Sequence, residues 1–163
     1  SKIIVFGSPN NKKIFNRSKK NCDQLMINFL KKISKYCKEN HIVLCLEANP
    51  SIYNCEYLTH TKHALKLVKI VNSSYIKINM DLGTSISNNE DYNEIIKRNI
   101  NFIGHAQISS PYLINLSSFK KHIRAFFMSL KKNKFKKVIS VEMLANKKNN
   151  IKKLNKVFKI IEN

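Results

Sequence analysis

The sequence predicts an α/β fold of parallel strands, a partial or complete (β/α)8 TIM barrel. Short β-branched runs alternate with longer amphipathic stretches along the chain, and this alternation predicts parallel strands joined by crossover helices. About five such strand–helix units fill the 163 residues. At about 33 residues a unit, eight units would need roughly 260, near the ~250 typical of this barrel. The alternative fold that fits the length is a five-stranded doubly wound parallel sheet.

The first half of the chain contains three predicted strands and two predicted helices. Residues 2–7, 41–47 and 75–81 are predicted strands because each is a short run of β-branched and apolar residues. Residues 21–40 are a predicted helix because apolar side chains recur every three or four positions. Residues 57–72 repeat that spacing and give the second helix.

The second half continues the same alternation. Residues 89–99 and 149–163 have the helical spacing, and so do residues 117–133, which open with a serine N-cap signal. Residues 100–109 and 136–143 are apolar, β-branched runs and are predicted strands. These elements complete the five predicted units.

Composition limits the class of protein. Apolar residues make up 43% of the chain, too many for a disordered polar segment. No stretch reaches the ~20 apolar residues that a membrane span needs. Ser1 opens no signal-peptide pattern, so we expect a cytoplasmic protein with no membrane partner. The four cysteines form no CxxC pair and are expected to be buried, reduced thiols.

The net charge of +20 would suit a nucleic-acid partner, but its make-up argues against one. Lys and Arg number 30 together, yet only Arg17, Arg98 and Arg124 are arginine, the better side chain for phosphates and bases. Lys, Asn and Ile are abundant together, as an AT-rich coding sequence produces. We therefore interpret the charge as compositional and do not expect nucleic acid as the partner.

Polar side chains recur at the carboxyl ends of successive predicted strands. They are Glu47, Asp81, His105 with Gln107, and Glu142. In α/β folds, ligands bind beyond these strand ends. Converging carboxylates repel one another, and a divalent cation relieves that cost. Oxygen-rich ligands suit Mg2+ or Mn2+, and a histidine ligand would admit Zn2+ or Co2+.

Other motifs are few. No GxGxxG, GxxxxGK[ST] or GxSxG occurs, so a dinucleotide enzyme, a P-loop NTPase and an α/β-hydrolase lose support. His60 and His63 lie three apart on a predicted helix, a possible ligand spacing. Without a third partner, we expect both on a solvated face.

Five segments in chain order form a recognisable series. They are VFGSPNNK, LCLEANPSIYN, INMDLGTSISNNED, IGHAQISSPYL and VISVEM. Together they resemble the xylose isomerase-like barrel superfamily, in particular its sugar phosphate isomerase/epimerase branch. The resemblance implies that residues 1–163 form one α/β domain, the C-terminal part of a TIM barrel that begins near the fourth strand of eight.

The resemblance also implies a metal site. Glu47, Asp81 and Glu142 fall on positions that hold the metal in that superfamily. Gln107 stands where the superfamily has its ligand histidine, and His105 takes the preceding histidine position. Side chains two apart on a strand point to the same face, so both are candidate ligands. The implied cofactor is a divalent metal, Mn2+, Mg2+, Co2+ or Zn2+.

The implied reaction is proton transfer next to the carbonyl of a sugar or sugar phosphate, an isomerisation or epimerisation. Such a reaction needs a base on one face and an acid on the other. Glu47 and Glu142 lie on strands three apart and are the predicted catalytic pair. Asn49 and His105 are predicted to bind sugar hydroxyls. Lys12 is a candidate to meet a phosphate or carboxylate, although a solvated lysine is the favoured interpretation.

Two other functions stay open. The first is a non-catalytic, barrel-derived binding domain. The second is an apurinic endonuclease-like repair enzyme, which the net charge favours and which Thr84 and Gln107 oppose, since they stand where further histidine ligands would help. Five units alone leave two sheet edges unpaired, so we expect missing N-terminal barrel strands, another chain or a homodimer to cover them.

Overall fold

We describe the chain from a computed structural model, which describes residues 2–145 and 149–162. Within these residues the chain forms strands β1 (Ile3–Phe6), β2 (Val43–Glu47), β3 (Ile76–Asp81), β4 (Ile103–Ile108) and β5 (Ile139–Val141). The helices are α1 (Lys19–Glu39), α2 (Thr61–Val71), α3 (Leu82–Ser87), α4 (Tyr92–Asn99), α5 (Lys120–Lys132) and α6 (Asn150–Glu162). Short 3-10 turns join several of them.

The order of the strands decides between the two predicted folds. They pair in parallel as one five-stranded sheet, in the order β1-β2-β3-β4-β5. A doubly wound sheet reverses its strand order at a switch point, whereas the strands of a TIM barrel follow one another in chain order. The sequential order confirms the barrel-type α/β fold, and the doubly wound alternative is wrong.

The chain divides into two compact units. The first unit is the chain up to Met80 together with Asn101–His105. The second unit is Asp81–Ile100 together with the chain from Ala106 onward. We describe each unit separately.

The first unit is built on β1, β2 and β3. Leu46 pairs with Phe6 on one side and with Ile78 on the other, and Glu47 pairs with Asn79. Helix α1 begins after Ser18, whose side chain caps it by accepting a hydrogen bond from the main chain. The fully buried core of this unit consists of Leu30, Cys45, Leu46, Leu58, Leu67, Val68, Ile76, Ile78, Met80 and Ile103.

The second unit packs its helices around a smaller apolar core. Helix α5 contacts α4 and α6, and its buried side chains recur at helical spacing. The ring of Phe126 meets that of Tyr92 edge-on, with centroids 5.8 Å apart. The core side chains are Leu82, Ile96, Ile108, Ile123, Phe126, Leu130 and Val157.

Several helix ends differ from the prediction. Helix α2 begins at Thr61 and not at 57, because Leu58 adopts φ 62°, which a right-handed helix excludes. Helix α5 begins at Lys120, and no side chain caps it, so the predicted serine cap is wrong. Helix α3 was not predicted at all. The predicted end of the last helix, at residue 163, lies outside the described residues.

The cysteines follow the prediction closely. Cys37, Cys45 and Cys55 are buried, Cys22 is half-buried, and no disulfide joins any two of the four. Burial raises the pKa of Cys37 and of Cys55. Among the described residues, none of the helices has the length and apolar character to cross a membrane.

Candidate active site

In the first unit, five polar side chains form one hydrogen-bonded group, which we call the Glu47 cluster. Its members are Lys12, Glu47, Asn49, Asn79 and His105. Glu47 is the last residue of β2, and its register partner on β3 is Asn79. The cluster therefore lies at the carboxyl ends of strands, where barrel enzymes place their chemistry.

Both carboxylate oxygens of Glu47 accept hydrogen bonds from amide side chains. Asn79 donates to Oε1 at 2.6 Å, and Asn49 donates to Oε2 at 3.0 Å. A group that accepts at both oxygens has the pattern of an ionised carboxylate. Gly7 leaves the space for it, because a Cβ at that position would collide with Oε2 of Glu47.

Lys12 is 5% exposed, so the favoured interpretation of a solvated lysine is wrong. Its Nζ donates to the main-chain oxygen of Glu47 at 2.5 Å and to Oδ1 of Asn49 at 2.7 Å. Burial lowers the pKa of Lys12 to about 8, and the nearby Cys55 and Glu47 offset only part of that effect. Lys12 thus joins the loop after β1 to the end of β2.

His105 lies on β4 and is 6% exposed. Its Nδ1 is 2.7 Å from Oδ1 of Asn79. Burial lowers the pKa of His105, because an imidazolium loses hydration there. The neutral ring is therefore the form that this environment favours.

In the second unit, Asp81 forms a different group with the residues around the start of α3. Its Oδ1 accepts a hydrogen bond from the main-chain N–H of Thr84 at 2.6 Å, as an N-cap does. Its Oδ2 accepts from the hydroxyl of Ser109 at 2.5 Å, while that hydroxyl accepts from the N–H of Gly83 at 2.9 Å. We call Asp81, Gly83, Thr84 and Ser109 the Asp81 cluster.

The remaining predicted residues also lie in the second unit. Gln107 is half-buried on β4, and its register partner is Ser140. Glu142 follows β5 directly and is exposed, and its N–H donates to the carbonyl of Ile108 at 2.9 Å. Both residues are therefore at the strand ends that the sequence predicted.

Of the predicted site residues, the structure brings Lys12, Glu47, Asn49 and His105 into one cluster. Sequence reasoning missed Asn79, which links two of them. It lies two residues before Asp81 in a strand whose other residues up to that point are mostly apolar. A polar amide inside such a strand is unusual, because it must be hydrogen-bonded when buried, and that was the available signal.

His63 also departs from the prediction of a solvated face. It is half-buried, and its Nε2 lies 2.6 Å from Oδ1 of Asp23 on α1. The hydroxyl of Tyr57 donates to the same oxygen at 2.9 Å. Burial alone would raise the pKa of Asp23, but these two hydrogen bonds and the charges of His63 and Lys66 lower it. This group holds α1 against α2.

The donors at the strand ends suit a divalent cation chemically, since carboxylate oxygens and an imidazole nitrogen are its usual ligands. Within residues 2–145 and 149–162, however, no three His, Cys, Asp or Glu side chains form a group that could hold an ion. The carboxylates of Glu47 and Asp81 are each held by hydrogen bonds within their own unit.

Comparison with known proteins identifies the architecture. The family described as the xylose isomerase-like TIM barrel matches residues 2–161. Curated protein sequences give no match.

Three solved structures share the fold. A 3-keto-D-glucoside 4-epimerase from E. coli, in its apo form, has a TM-score of 0.76 at 13% identity, over 98% of this chain and 62% of its own. An AP endonuclease of family 2 from Brucella melitensis has a TM-score of 0.70 at 17% identity, over 87% and 55%. A D-psicose 3-epimerase from Clostridium cellulolyticum H10, with D-tagatose, has 0.62 at 13%, over 93% and 53%. The chain therefore spans roughly half to three-fifths of the length of these proteins.

Proposed function

The chain belongs to the xylose isomerase-like TIM barrel family, and from this premise we propose that it acts in a sugar or sugar-phosphate isomerase or epimerase. The proposed reaction moves a proton at the carbon next to a carbonyl. Two of the structures that share its fold are named as sugar epimerases, which supports this class of substrate.

The observation that carries the proposal is the state of Glu47. Its carboxylate stands at a strand end, and two amide groups hold both of its oxygens. A base that removes a proton from carbon must be ionised and held in one position, because catalysis depends on its distance from that proton. The Glu47 cluster supplies both properties from residues of this chain.

In this proposal, Glu47 takes the proton from the substrate carbon onto a carboxylate oxygen. Glu142 is the proposed partner that returns a proton, and its exposed position after β5 leaves it accessible to solvent. Asn49 and His105 are proposed to bind sugar hydroxyls. Lys12 remains the proposed contact for a phosphate or carboxylate. In this structure its Nζ donates to Asn49 and to the main chain of Glu47.

A divalent cation remains part of the proposal. Glu47, Asp81 and Glu142 are the proposed carboxylate ligands, with His105 or Gln107 as the further donor. When bound, such an ion would polarise the substrate carbonyl. Elemental analysis of the purified protein, and of its Asp81→Asn and Glu142→Gln variants, tests this part separately from activity.

The function is tested by hydrogen exchange. The purified protein is incubated with ketoses and ketose phosphates in D2O, and loss of the proton signal next to the carbonyl is followed by NMR. We expect exchange with at least one sugar, and its loss in Glu47→Gln. Glu39→Gln, an exposed carboxylate at the end of α1, is the matched control and should exchange normally. If no sugar exchanges, the chain is better described as a non-catalytic binding domain. If exchange occurs and Glu47→Gln remains fully active, Glu47 is not the base.

A second candidate is supported by a surface in the second unit. A groove of about 540 Å3 is lined by the basic side chains of α5 and α6, which are Lys120, Lys121, Arg124, Lys156 and Lys159. Such a groove suits the phosphates of a nucleic acid, and one structure of the same fold is named as an AP endonuclease. Incision of DNA with an abasic site, with zinc supplied, would support this candidate. Its absence would leave the groove as a solvated basic surface.

A further inference from the structure

In the Glu47 cluster, the donor and the acceptor of each hydrogen bond follow from two groups that have only one possible role. These are the ammonium group of Lys12, which donates, and the carboxylate of Glu47, which accepts. The ammonium group of Lys12 can only donate, so Asn49 must present Oδ1 to it at 2.7 Å. The amide nitrogen of Asn49 is then turned toward Oε2 of Glu47, 3.0 Å away. The orientation of this amide therefore follows from its neighbours and needs no assumption about which of its two ends is nitrogen.

The same reasoning applies on the other side of the carboxylate. Asn79 approaches Oε1 of Glu47 to 2.6 Å, and a carboxylate oxygen can only accept. If Asn79 were reversed, two acceptor oxygens would face each other at that distance. The nitrogen of Asn79 must therefore face Glu47, and its Oδ1 must face Nδ1 of His105 at 2.7 Å.

This arrangement leaves one tautomer for His105. Two acceptors cannot bridge a distance of 2.7 Å, so Nδ1 must carry the proton that it donates to Asn79. With that proton on Nδ1, the lone pair of the neutral ring is on Nε2.

We propose that Glu47, acting through Asn79, holds His105 in the Nδ1–H tautomer, so that Nε2 is the ring nitrogen left to accept a hydrogen bond from a ligand hydroxyl. Asn79 and Lys12 are then positioning residues, since they act through His105 and through Asn49. For the substrate, the proposal rests on the proposed function: a hydroxyl of the sugar would donate to Nε2 of His105.

The surroundings of the two positioning residues support this role. Asn79 is 3% exposed, and burying an apolar side chain there would cost less desolvation free energy than burying an amide. Lys12 is fixed from its other end as well, because its carbonyl accepts the N–H groups of Glu56 at 3.2 Å and of Tyr57 at 3.1 Å. Asn79 and Lys12 are therefore themselves fixed in position, and each can orient the side chain that it contacts.

The test is the 15N NMR spectrum of the histidine rings in the metal-free protein. The chain has five histidines, so the signals of His105 are assigned by their loss in His105→Gln. We expect a protonated Nδ1 and an unprotonated Nε2 in the wild type at neutral pH. A folded wild-type protein whose His105 carries its proton on Nε2 overturns the proposal.

Variants at position 79 test whether Asn79 fixes the tautomer of His105. Asn79→Leu removes the acceptor, and His105 should then shift toward the Nε2–H form. Asn79→Asp keeps the acceptor for Nδ1, and a proton shared between the two carboxyl groups would replace the amide donor to Glu47. The Nδ1–H form should then persist, and its loss in the folded aspartate variant overturns the role of Asn79 even where the leucine variant fails to fold. Asn28→Leu, at an exposed asparagine on α1, is the matched control and should leave His105 unchanged. An Nδ1–H signal that survives in folded Asn79→Leu overturns the role of Asn79.

The tautomer is measured without turnover. A protein inert toward every sugar, yet with His105 in the Nδ1–H form, would remove the proposed function and keep the proposed tautomer.

Discussion

The Glu47 cluster and the Asp81 cluster place a carboxylate at the same kind of position, the last residue of a strand, yet they hold it differently. Glu47 is bound by two amide side chains, Asn49 two residues ahead and Asn79 on the adjacent strand. Asp81 is bound by the N–H of Thr84, three residues ahead, and by Ser109. The donors of Asp81 join the end of β3 to the start of α3, so they also stabilise an element boundary, whereas the two amides that bind Glu47 cap no helix. The donors distinguish the two roles, and the position does not.

The largest expected effect tests whether the position of the Glu47 carboxylate matters. In Glu47→Asp the charge remains, but the shorter side chain cannot reach both amides. A misplacement of about 1 Å can cost on the order of 10²-fold in rate. We therefore expect the exchange rate to fall about 10²-fold while the melting temperature changes little, as measured by NMR exchange and calorimetry. An aspartate variant with full activity would mean that the two amides do not position the base.

The Asp81 cluster should respond in the opposite way. Asp81→Ala removes the cap of α3 and leaves the Ser109 hydroxyl without its acceptor, so we expect a loss of about 2–3 kcal/mol of unfolding free energy. Asp81→Asn keeps an acceptor for the N–H of Thr84 and should recover part of it. Urea denaturation measures both variants. Equal stability of the alanine variant and the wild type would contradict the capping role.

The two clusters can also be compared by adding a methyl group to a glycine in each. A Cβ at Gly7 would meet the Glu47 carboxylate, the far end of a side chain that can move. A Cβ at Gly83 would collide with the hydroxyl of Ser109 and would meet the main chain of Ser110 at 3.0 Å, and a main chain cannot turn aside as the end of a side chain can. We expect Gly83→Ala to lose about 1–3 kcal/mol of stability. Gly7→Ala should lose exchange activity with a smaller change in stability, and the reverse pattern would contradict the assigned roles.

The smallest effect concerns pH and Lys12. Its pKa is about 8 in the folded protein, against 10.5 when unperturbed, so between these two pH values the unfolded chain binds the extra proton. The free energy of unfolding should therefore rise by about 1 kcal/mol as the pH increases from about 8 to about 9. Lys12→Met should lack this rise, and Lys13→Met, at a more exposed neighbour, should keep it. Parallel pH profiles for the wild type and Lys12→Met would contradict it.

The sequence predicted the strands best, because short β-branched runs bounded by polar residues have few alternatives. It failed where local pattern and tertiary structure disagree. Tyr57 and Leu58 continue the apolar spacing of α2, yet both are buried in the loop before it. Helix α3 was missed because its sequence, LGTSIS, is short, contains a glycine and depends on the cap from Asp81.

For the site, the strand-end rule found Glu47, Asn49 and His105, since it concerns positions that the chain order alone defines. It could not find Asn79, whose importance comes from its pairing with Glu47 on the adjacent strand. Nor could it show that Lys12 is buried, because that depends on how the loop after β1 folds back toward the end of β2. Pairing and loop closure are tertiary properties.

The four thiols allow the opening of the first unit to be measured by chemical labelling. All of them lie in its part of the chain, and only Cys22 is partly exposed, so a thiol reagent added to the native protein should modify Cys22 first. Cys37, Cys45 and Cys55 react only when the structure around them opens, and their labelling rates therefore report the free energy of that opening. The unit that carries Glu47 can thus be followed without a substrate, a metal or an engineered probe.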